Sequence, residues 1–247
     1  MNVSLYQAAA AMNAQARWQE LITQNLAASA APGYRKQDVS FSTIQAGLDP
    51  TAVNMNNSGY VIPSATASTN FQEGEMRATG NMLDFGIEGP GFFEVQLPNG
   101  GKAYTRDGEL RLNAQGQLVT KQGYNVLGDG GPIQLDPSNP APITMSANGD
   151  ISQGDQPKGH IRLVEFSQLN SLTSIGGGYF LSSPSAQPVA AAASSLRQGF
   201  LEGSNSSPTA EMASLITSMR LFEANQKVLQ NQDDRMGKVI ADLGGTS

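Results

Sequence analysis

His160 is the only histidine of the chain, and there is no cysteine. Without thiols, disulfides, thiolate metal sites and cysteine nucleophiles are all excluded. A Ser-His-Asp site would have to use His160. Its surroundings, "HIRLVEF" from His160 to Phe166, alternate as a strand, and no G-x-S-x-G elbow accompanies it. His160 therefore reads as a surface or packing residue. The run "GIEGPGFF", Gly86 to Phe93, has three glycines, but their spacing is not G-x-G-x-x-G and no helical pattern follows. A phosphate loop needs a helix N-terminus behind its glycines, so this stretch reads as a turn feeding a strand. Asp129, Asp136, Asp150 and Asp155 stand in turns that lack the calcium-loop pattern, and read as solvated carboxylates. No catalytic residue, cofactor or metal is expected, and the chain is expected not to be an enzyme.

The elements that would have to position any other activity lie at the two ends. Residues 3 to 28 read as one helix, with Leu5, Ala8, Met12, Gln15, Gln19, Ile22 and Leu26 at alternating steps of four and three. About 26 residues at 1.5 Å each make a rod of about 39 Å. Pro32 ends it, and Gly33 permits a sharp change of direction. Near the other end Ser207 reads as a cap, Pro208 as a first-turn residue, and Glu211 as a carboxylate complementing exposed N–H groups. Leu215, Met219, Phe222, Gln226, Leu229, Asp233, Met236 and Ile240 then step by four and three until Gly244-Gly245. Isolated helices of this kind are marginal in water, so both want partners. Their seams mix small and polar members with Met, which suits packing against several neighbours rather than one tightly specified core.

Between the helices, residues 36 to 79 are polar and carry Pro50, Gly59 and Pro63, which reads as an extended linker with short strands near 38–44 and 70–76. Its 45–69 part reads as irregular. The clearest strand signal follows: alternating runs at 92–97, 102–106, 109–112, 117–120 and 124–127, separated by Asn99-Gly100, Asp107-Gly108, Ala114-Gln115-Gly116 and Gln122-Gly123. Such turns supply the positive φ of tight hairpins, so an antiparallel meander is expected. It continues through 133–135, 143–145, a turn at Asn148-Gly149, the strand 160–166 and a last strand at 179–182. The expected fold class is α+β, with N- and C-terminal helices that carry coiled-coil-like seams and a mainly antiparallel β domain inserted between them. The expected division is 1–34 with 205–247 as the helical core, 35–79 as the arm and 80–204 as the β domain.

Charge and length add exclusions. The chain has 247 residues, 39% of them hydrophobic and 6% aromatic, so its core is thin for its size. A net charge of −6 argues against a nucleic-acid partner. The first residues lack a basic stretch followed by an apolar run, so no cleavable signal is expected. No window approaches the roughly 18 to 20 apolar residues that would span a bilayer, so no membrane insertion is expected.

The chain resembles the axial proteins of the bacterial flagellum, the rod and hook subunits. The family start, L-Y-x-A-A-x-G-M-x-A-Q then N-N-L-A-N-x-x-T-P-G-[FY]-[KR], is similar to Leu5-Tyr6, Ala8-Ala9, Met12, Ala14-Gln15, Asn25-Leu26-Ala27 and Pro32-Gly33-Tyr34-Arg35. The middle resembles T-G-N-x-L-D-x-x-I-x-G-x-G-F-F and Y-T-R-x-G-x-[FL], at Thr79-Gly80-Asn81, Leu83-Asp84, Ile87, Gly89, Gly91-Phe92-Phe93 and Tyr104-Thr105-Arg106, Gly108, Leu110. The end resembles Q-G-x-L-E-x-S-N and E-M-x-x-[LM]-I-x-x-x-R-x-[FY]-E-A-N-x-K. Its matches are Gln198-Gly199, Leu201-Glu202, Ser204-Asn205, Glu211-Met212, Leu215-Ile216, Arg220, Phe222-Glu223-Ala224-Asn225 and Lys227. Ala11, Gln24, Ala28 and Ala31 depart from that pattern.

The resemblance implies a structural rod subunit of the basal body, since hook subunits are longer. Length and the compact "VLGDGGPIQL" are most similar to the proximal rod type, the distal type next; a transient assembly or cap-like factor is the alternative. It implies helical self-assembly with other rod and hook axial proteins, and uncleaved export through the flagellum's type III apparatus. The expected assembly interface is Leu5, Met12, Ile22, Asn25, Leu26, Met212, Leu215, Ile216, Met219, Phe222, Asn225, Leu229 and Met236. Pro32 and Gly33 are the expected hinge.

Overall fold

The first 27 residues contain neither Pro nor Gly and are rich in Ala, Gln and Leu, strong helix formers, and they make α1 (Val3–Ala27). In the computed structural model residues 3–46, 60–184 and 186–244 are described. They divide into two units: Met1–Ala27, Gln37–Ser68 and Ser207–Ser247 in the first, Ala28–Lys36 and Thr69–Ser206 in the second.

The first unit holds α1, the paired strands β1 (Gln37–Ala46) and β2 (Tyr60–Thr69), and α2 (Pro208–Gly244). The strand expected near 38–44 is there as β1, β2 occupies part of the run read as irregular, residues 70–75 form no strand, and residues 47–59 lie outside the described residues. α2 is 37 residues long, about 55 Å at 1.5 Å per residue. Its first turn matches the sequence reading: the Glu211 N–H donates to the Ser207 carbonyl at 2.9 Å. α1 and α2 pack on each other. The Trp18 ring meets Phe41 of β1 edge to face at 5.7 Å, so one aromatic pair ties strand to helix.

The second unit is antiparallel throughout its described pairings. Its strands begin with β3 (Met76–Ala78), β4 (Phe85–Glu88), β5 (Phe92–Gln96), β6 (Lys102–Thr105), β7 (Leu110–Leu112), β8 (Leu118–Thr120), β9 (Asn125–Gly128) and β10 (Gly131–Pro132). They continue with β11 (Ile143–Met145), β12 (Asp150–Gln153), β13 (Gln156–His160), β14 (Leu163–Glu165), β15 (Leu172–Gly176), β16 (Tyr179–Ser182), β17 (Val189–Ala190), β18 (Ser195–Gln198) and β19 (Phe200–Glu202). The main sheet runs β15-β16-β6-β5-β9-β8-β7, with β10 on β9, β14 on β5 and β17 on β14. The meander read from alternation is there, and β11-β12-β13 form a separate three-stranded sheet.

One alternating run breaks differently. "HIRLVEF" is not one strand: His160 closes β13 opposite Asp150, while Leu163 and Val164 pair with Phe93 and Phe92 of β5. The switch falls at Ile161, whose N–H is taken by the Gly149 carbonyl. The run at 133–135 supplies no strand either; Gln134 makes a single bridge to Gln117.

The core of this unit is a cluster containing Phe85, Ile87, Phe93, Val95, Leu118, Val126, Ile151 and Ile161, all essentially inaccessible. A second cluster joins Phe92, Tyr104, Phe166 and Phe180, with Tyr104 edge-on to Phe166 at 4.8 Å. Burial of such side chains, at about 25 cal/mol per Å², is the main stabilising term. The late strands close the unit: β18 pairs with β4 and β19 with β3. The chain therefore leaves the β unit beside the segment by which it was built.

Candidate assembly surface and joint

On α1 the inaccessible side chains are Ala14, Gln15, Leu21, Ile22 and Asn25. These follow the seven-residue spacing of a helix face, 14/15 to 21/22, with Asn25 one step further. Met12 and Leu26 are half-buried, and the side chain of Leu5 lies outside the described residues. Ser218 of α2 is fully buried, and the Gln15 carboxamide donates to its carbonyl at 3.0 Å. The Gln15 carboxamide thus finds its partner on the α2 backbone, while the buried Ser218 hydroxyl has no hydrogen-bond partner.

The buried and half-buried described positions of α2 are Glu211, Leu215, Ser218, Phe222, Asn225, Leu229 and Gln232, steps of four and three, with Ser214 beside Leu215. The seam therefore passes through Ser218 and Asn225 rather than through Met219 and Gln226. Met212, Ile216, Met219 and Met236 are each about half exposed, as are Leu221, Val228 and Val239. At 3.6 residues per turn, Met212, Ile216 and Met219 lie roughly 110° from the seam on one side. Leu221, Val228 and Val239 lie roughly 90° from it on the other. An apolar stripe flanks each side of the contact with α1.

The joint sits in the second unit. Ala31 to Tyr34 form a turn in which the Tyr34 N–H reaches the Ala31 carbonyl at 3.4 Å, with Pro32 and Gly33 in its centre. Gly33 has φ of 63°, the value the third position of a type II turn demands. A Cβ there would lie 2.3 Å from the carbonyl carbon of Arg106, so glycine is required for space as well as for conformation.

Beside this turn lies a buried charge node that the sequence reading missed. Glu202 accepts from Arg35 Nη2 at 2.6 Å, from Arg106 Nη1 at 2.9 Å and from the Gly74 N–H at 2.7 Å. Arg106 also donates to the Gly89 carbonyl and lies over the Phe92 ring, 5.2 Å from its centroid. Burial lowers the Arg35 guanidinium below its ordinary pKa, and Arg106 adds to this, against the opposing pull of Glu202. The Gly33 N–H donates to the Glu202 carbonyl, the Asn205 N–H to Tyr34, and the Lys36 N–H to the Asn205 side chain. The available signal was local: Arg35, Arg106 and Glu202 each stand inside a quoted motif, next to or near a glycine turn.

The residues with chemical potential are engaged with one another. His160 Nδ1 lies 2.9 Å from Asp150 Oδ1, and Ser146 bonds the same carboxylate. Ser, Asp and His therefore meet, but the hydroxyl addresses the carboxylate instead of the imidazole, which is not the order of a Ser-His-Asp triad. A groove of about 400 Å³ near His160 includes Glu94, Lys102, Asp129 and Arg162 in its lining. Those charges neutralise one another: Glu94 pairs with Lys102 at 2.6 Å and with Arg162 at 3.6 Å, and Arg162 with Asp129 at 3.2 Å. Among the described residues no group of three His, Asp or Glu side chains is placed to hold a metal. No described helix is long and apolar enough to cross a membrane.

Comparison with known proteins covers both units. The family model described as flagellar hook protein FlgE/F/G D1 domain matches residues 86–153. The model described as flagellar basal body rod FlgEFG protein C-terminal matches 197–243. The chain is 33% identical to the flagellar basal-body rod protein FlgF of Caulobacter vibrioides, over 91% of each. It is 32% identical to FlgF of Mesorhizobium japonicum over the whole of both chains. It is 33% identical to the rod protein FlgG of Borreliella burgdorferi, over 95% of this chain and 96% of that one.

Proposed function

The chain belongs to the flagellar basal-body rod protein family and is a structural subunit of the rod, and we propose that it polymerises through the flanks of its two terminal helices. The observation that carries this is the pair of apolar stripes on α2, at Met212, Ile216 and Met219 and at Leu221, Val228 and Val239, beside a seam already occupied by α1. A helix with apolar side chains on three sides has more surface to bury than one intramolecular partner covers. Copies of this chain and other axial subunits are the occupants that match. Contacts between unlike surfaces, repeated head to tail, build a helix instead of closing a ring.

In this reading Leu5, Met12, Ile22, Asn25 and Leu26 belong to the α1 side of the axial core, and Leu215, Phe222, Asn225 and Leu229 to the α2 side. Pro32-Gly33 is the hinge of this reading, a turn that lies within the second unit. Length and the compact "VLGDGGPIQL" favour the proximal type of rod subunit. The subunit reaches its place by the flagellum's own type III export, and it performs no catalysis.

Removal of residues 212–247 tests the mechanism. The truncated chain is expected in the secreted fraction but absent from purified basal bodies, with motility lost. Normal incorporation and swimming would overturn polymerisation through these helices.

A further inference from the structure

We propose that Arg35 is the positioning residue of the joint: its bond to Glu202 sets the register between the arm entering the β unit and the arm leaving it, at no net gain in stability. The proposal rests on the rod reading only for its consequence in the assembly. Its physical basis is a charge imbalance. Two guanidinium groups, each nine-tenths or more buried, face the one buried carboxylate of Glu202, and the exposed Glu73 adds only the smallest of the attractions on Arg35. Arg35 Nε and Nη1 and Arg106 Nε are buried without a hydrogen-bond partner.

Arg106 has other reasons to be there. It donates to the Gly89 carbonyl and stacks over Phe92, and with Glu202 it makes a balanced pair. Arg35 adds a second positive charge to a pair already neutral. Its hydrogen bond to Glu202 must offset the desolvation of a whole guanidinium, which buried pairs commonly fail to do. The lowered pKa of Arg35, dominated by burial, points the same way. What Arg35 does provide is a single alignment. The Gly33 N–H meets the Glu202 carbonyl at 2.8 Å and the Asn205 N–H meets the Tyr34 carbonyl at 3.3 Å. A slip of the entering arm would carry Arg35 away from the one buried carboxylate within reach. Such use of a costly polar group to fix register is the best-attested role for buried ions.

The test compares the full-length chain with Arg35→Met, Arg35→Lys and Glu202→Gln. Denaturant unfolding, site-resolved amide exchange and copy number in purified basal bodies are the readouts. Arg35→Met is expected to keep the unfolding constant within about threefold of the parent. Exchange at Gly33 and Lys36 should quicken by about tenfold or more while Val95, in the sheet core, is unmoved. Copies per basal body should fall, and Arg35→Lys should restore both the slow exchange and the copies. Glu202→Gln, which leaves two buried cations unpaired, should raise the unfolding constant by roughly a hundredfold or more. An Arg35→Met chain that loses stability a hundredfold, or does not fold, would show Arg35 to be a stabilising residue and overturn the proposal. Unchanged exchange at Gly33 and Lys36 would overturn it as well. Absence of the parent chain from basal bodies would refute the rod reading while leaving the exchange result to decide the register claim.

Discussion

The side chain of Asn25 is bonded in both directions to the backbone of Gln37: its Nδ2–H donates to the Gln37 carbonyl and the Gln37 N–H donates to its Oδ1, both at 2.9 Å. The carboxamide thus stands in for a neighbouring strand at the first residue of β1. Asn25 is nearly inaccessible, so neither backbone group of Gln37 has an easy substitute in water. Asn25→Ala is expected to cost about 1–3 kcal/mol, and Asn25→Asp a similar amount because it keeps the acceptor and loses the donor. Amide exchange at Gln37 together with denaturant unfolding checks this; protection at Gln37 that survives Asn25→Ala would show the bond to be incidental.

The two classes of apolar residue on the helices should separate cleanly. Ile216 and Met219 are about half exposed, whereas Ile22 is 2% exposed. Replacing Ile216 and Met219 by Ser should change the stability of the free chain by no more than about 0.5 kcal/mol each. Ile22→Ala should cost roughly 2–5 kcal/mol by cavity formation. Basal bodies purified from a strain carrying only the Ile216→Ser, Met219→Ser chain should nevertheless lack it. Full incorporation of that chain would remove this stripe from the assembly surface.

How far the sequence could be read depended on how local each signal was. The strands from Phe92 to Gly128 were legible because each hairpin carries its own turn residues, and alternation needs no distant partner. The helices were legible from spacing, yet the seam of α2 was read through Met219 where the structure buries Ser218. Spacing alone favours the apolar Met219 over the small polar Ser218, although Ser218 is the fully buried residue and offers its carbonyl to Gln15. The node at Glu202 was out of reach for a different reason. It joins residues separated by 167 and 96 positions, and nothing in the neighbourhood of Arg35 or Arg106 names the partner. Likewise β18 and β19 pair with strands more than a hundred residues earlier, so "SSLRQGFLE" shows its strands only once the unit has closed.

Asp107 makes the β unit sensitive to pH. Burial raises its carboxyl pKa to about 6, helped by the charges of Glu109 and Asp84 and opposed by a hydrogen bond from the Glu109 N–H and by Lys121. The folded chain therefore holds this proton more tightly than the unfolded chain does, where the group titrates near 4. Stability from this group is full below about pH 4 and is lost as pH rises through about 6. Asp107→Asn keeps an oxygen for the Glu109 N–H and removes the titration. It should stabilise the chain at pH 7 by about 1–3 kcal/mol and leave it unchanged near pH 4. Unfolding midpoints measured between pH 4 and pH 8 decide it, and a parallel pH dependence in parent and variant would rule Asp107 out as the source.

Gly33 carries two separable requirements, and a paired experiment distinguishes them. Gly100 has φ of 81° with no atom within 4 Å of a built Cβ, whereas Gly33 has φ of 63° with the Arg106 backbone at 2.3 Å. Gly100→Ala should therefore cost only the left-handed conformation, about 1–2 kcal/mol. Gly33→Ala must in addition push the Arg106–Asp107 backbone aside, a segment held by the Glu202 ion pair and by the Asp107 N–H bond to Thr105. A total of about 3 kcal/mol or more is expected, concentrated in the joint because the Gly33 bond to the Glu202 carbonyl breaks with it. Denaturation of both variants measures the difference. Equal losses would mean that the turn lifts away from Arg106 at little cost, and that the joint flexes where the structure shows it seated.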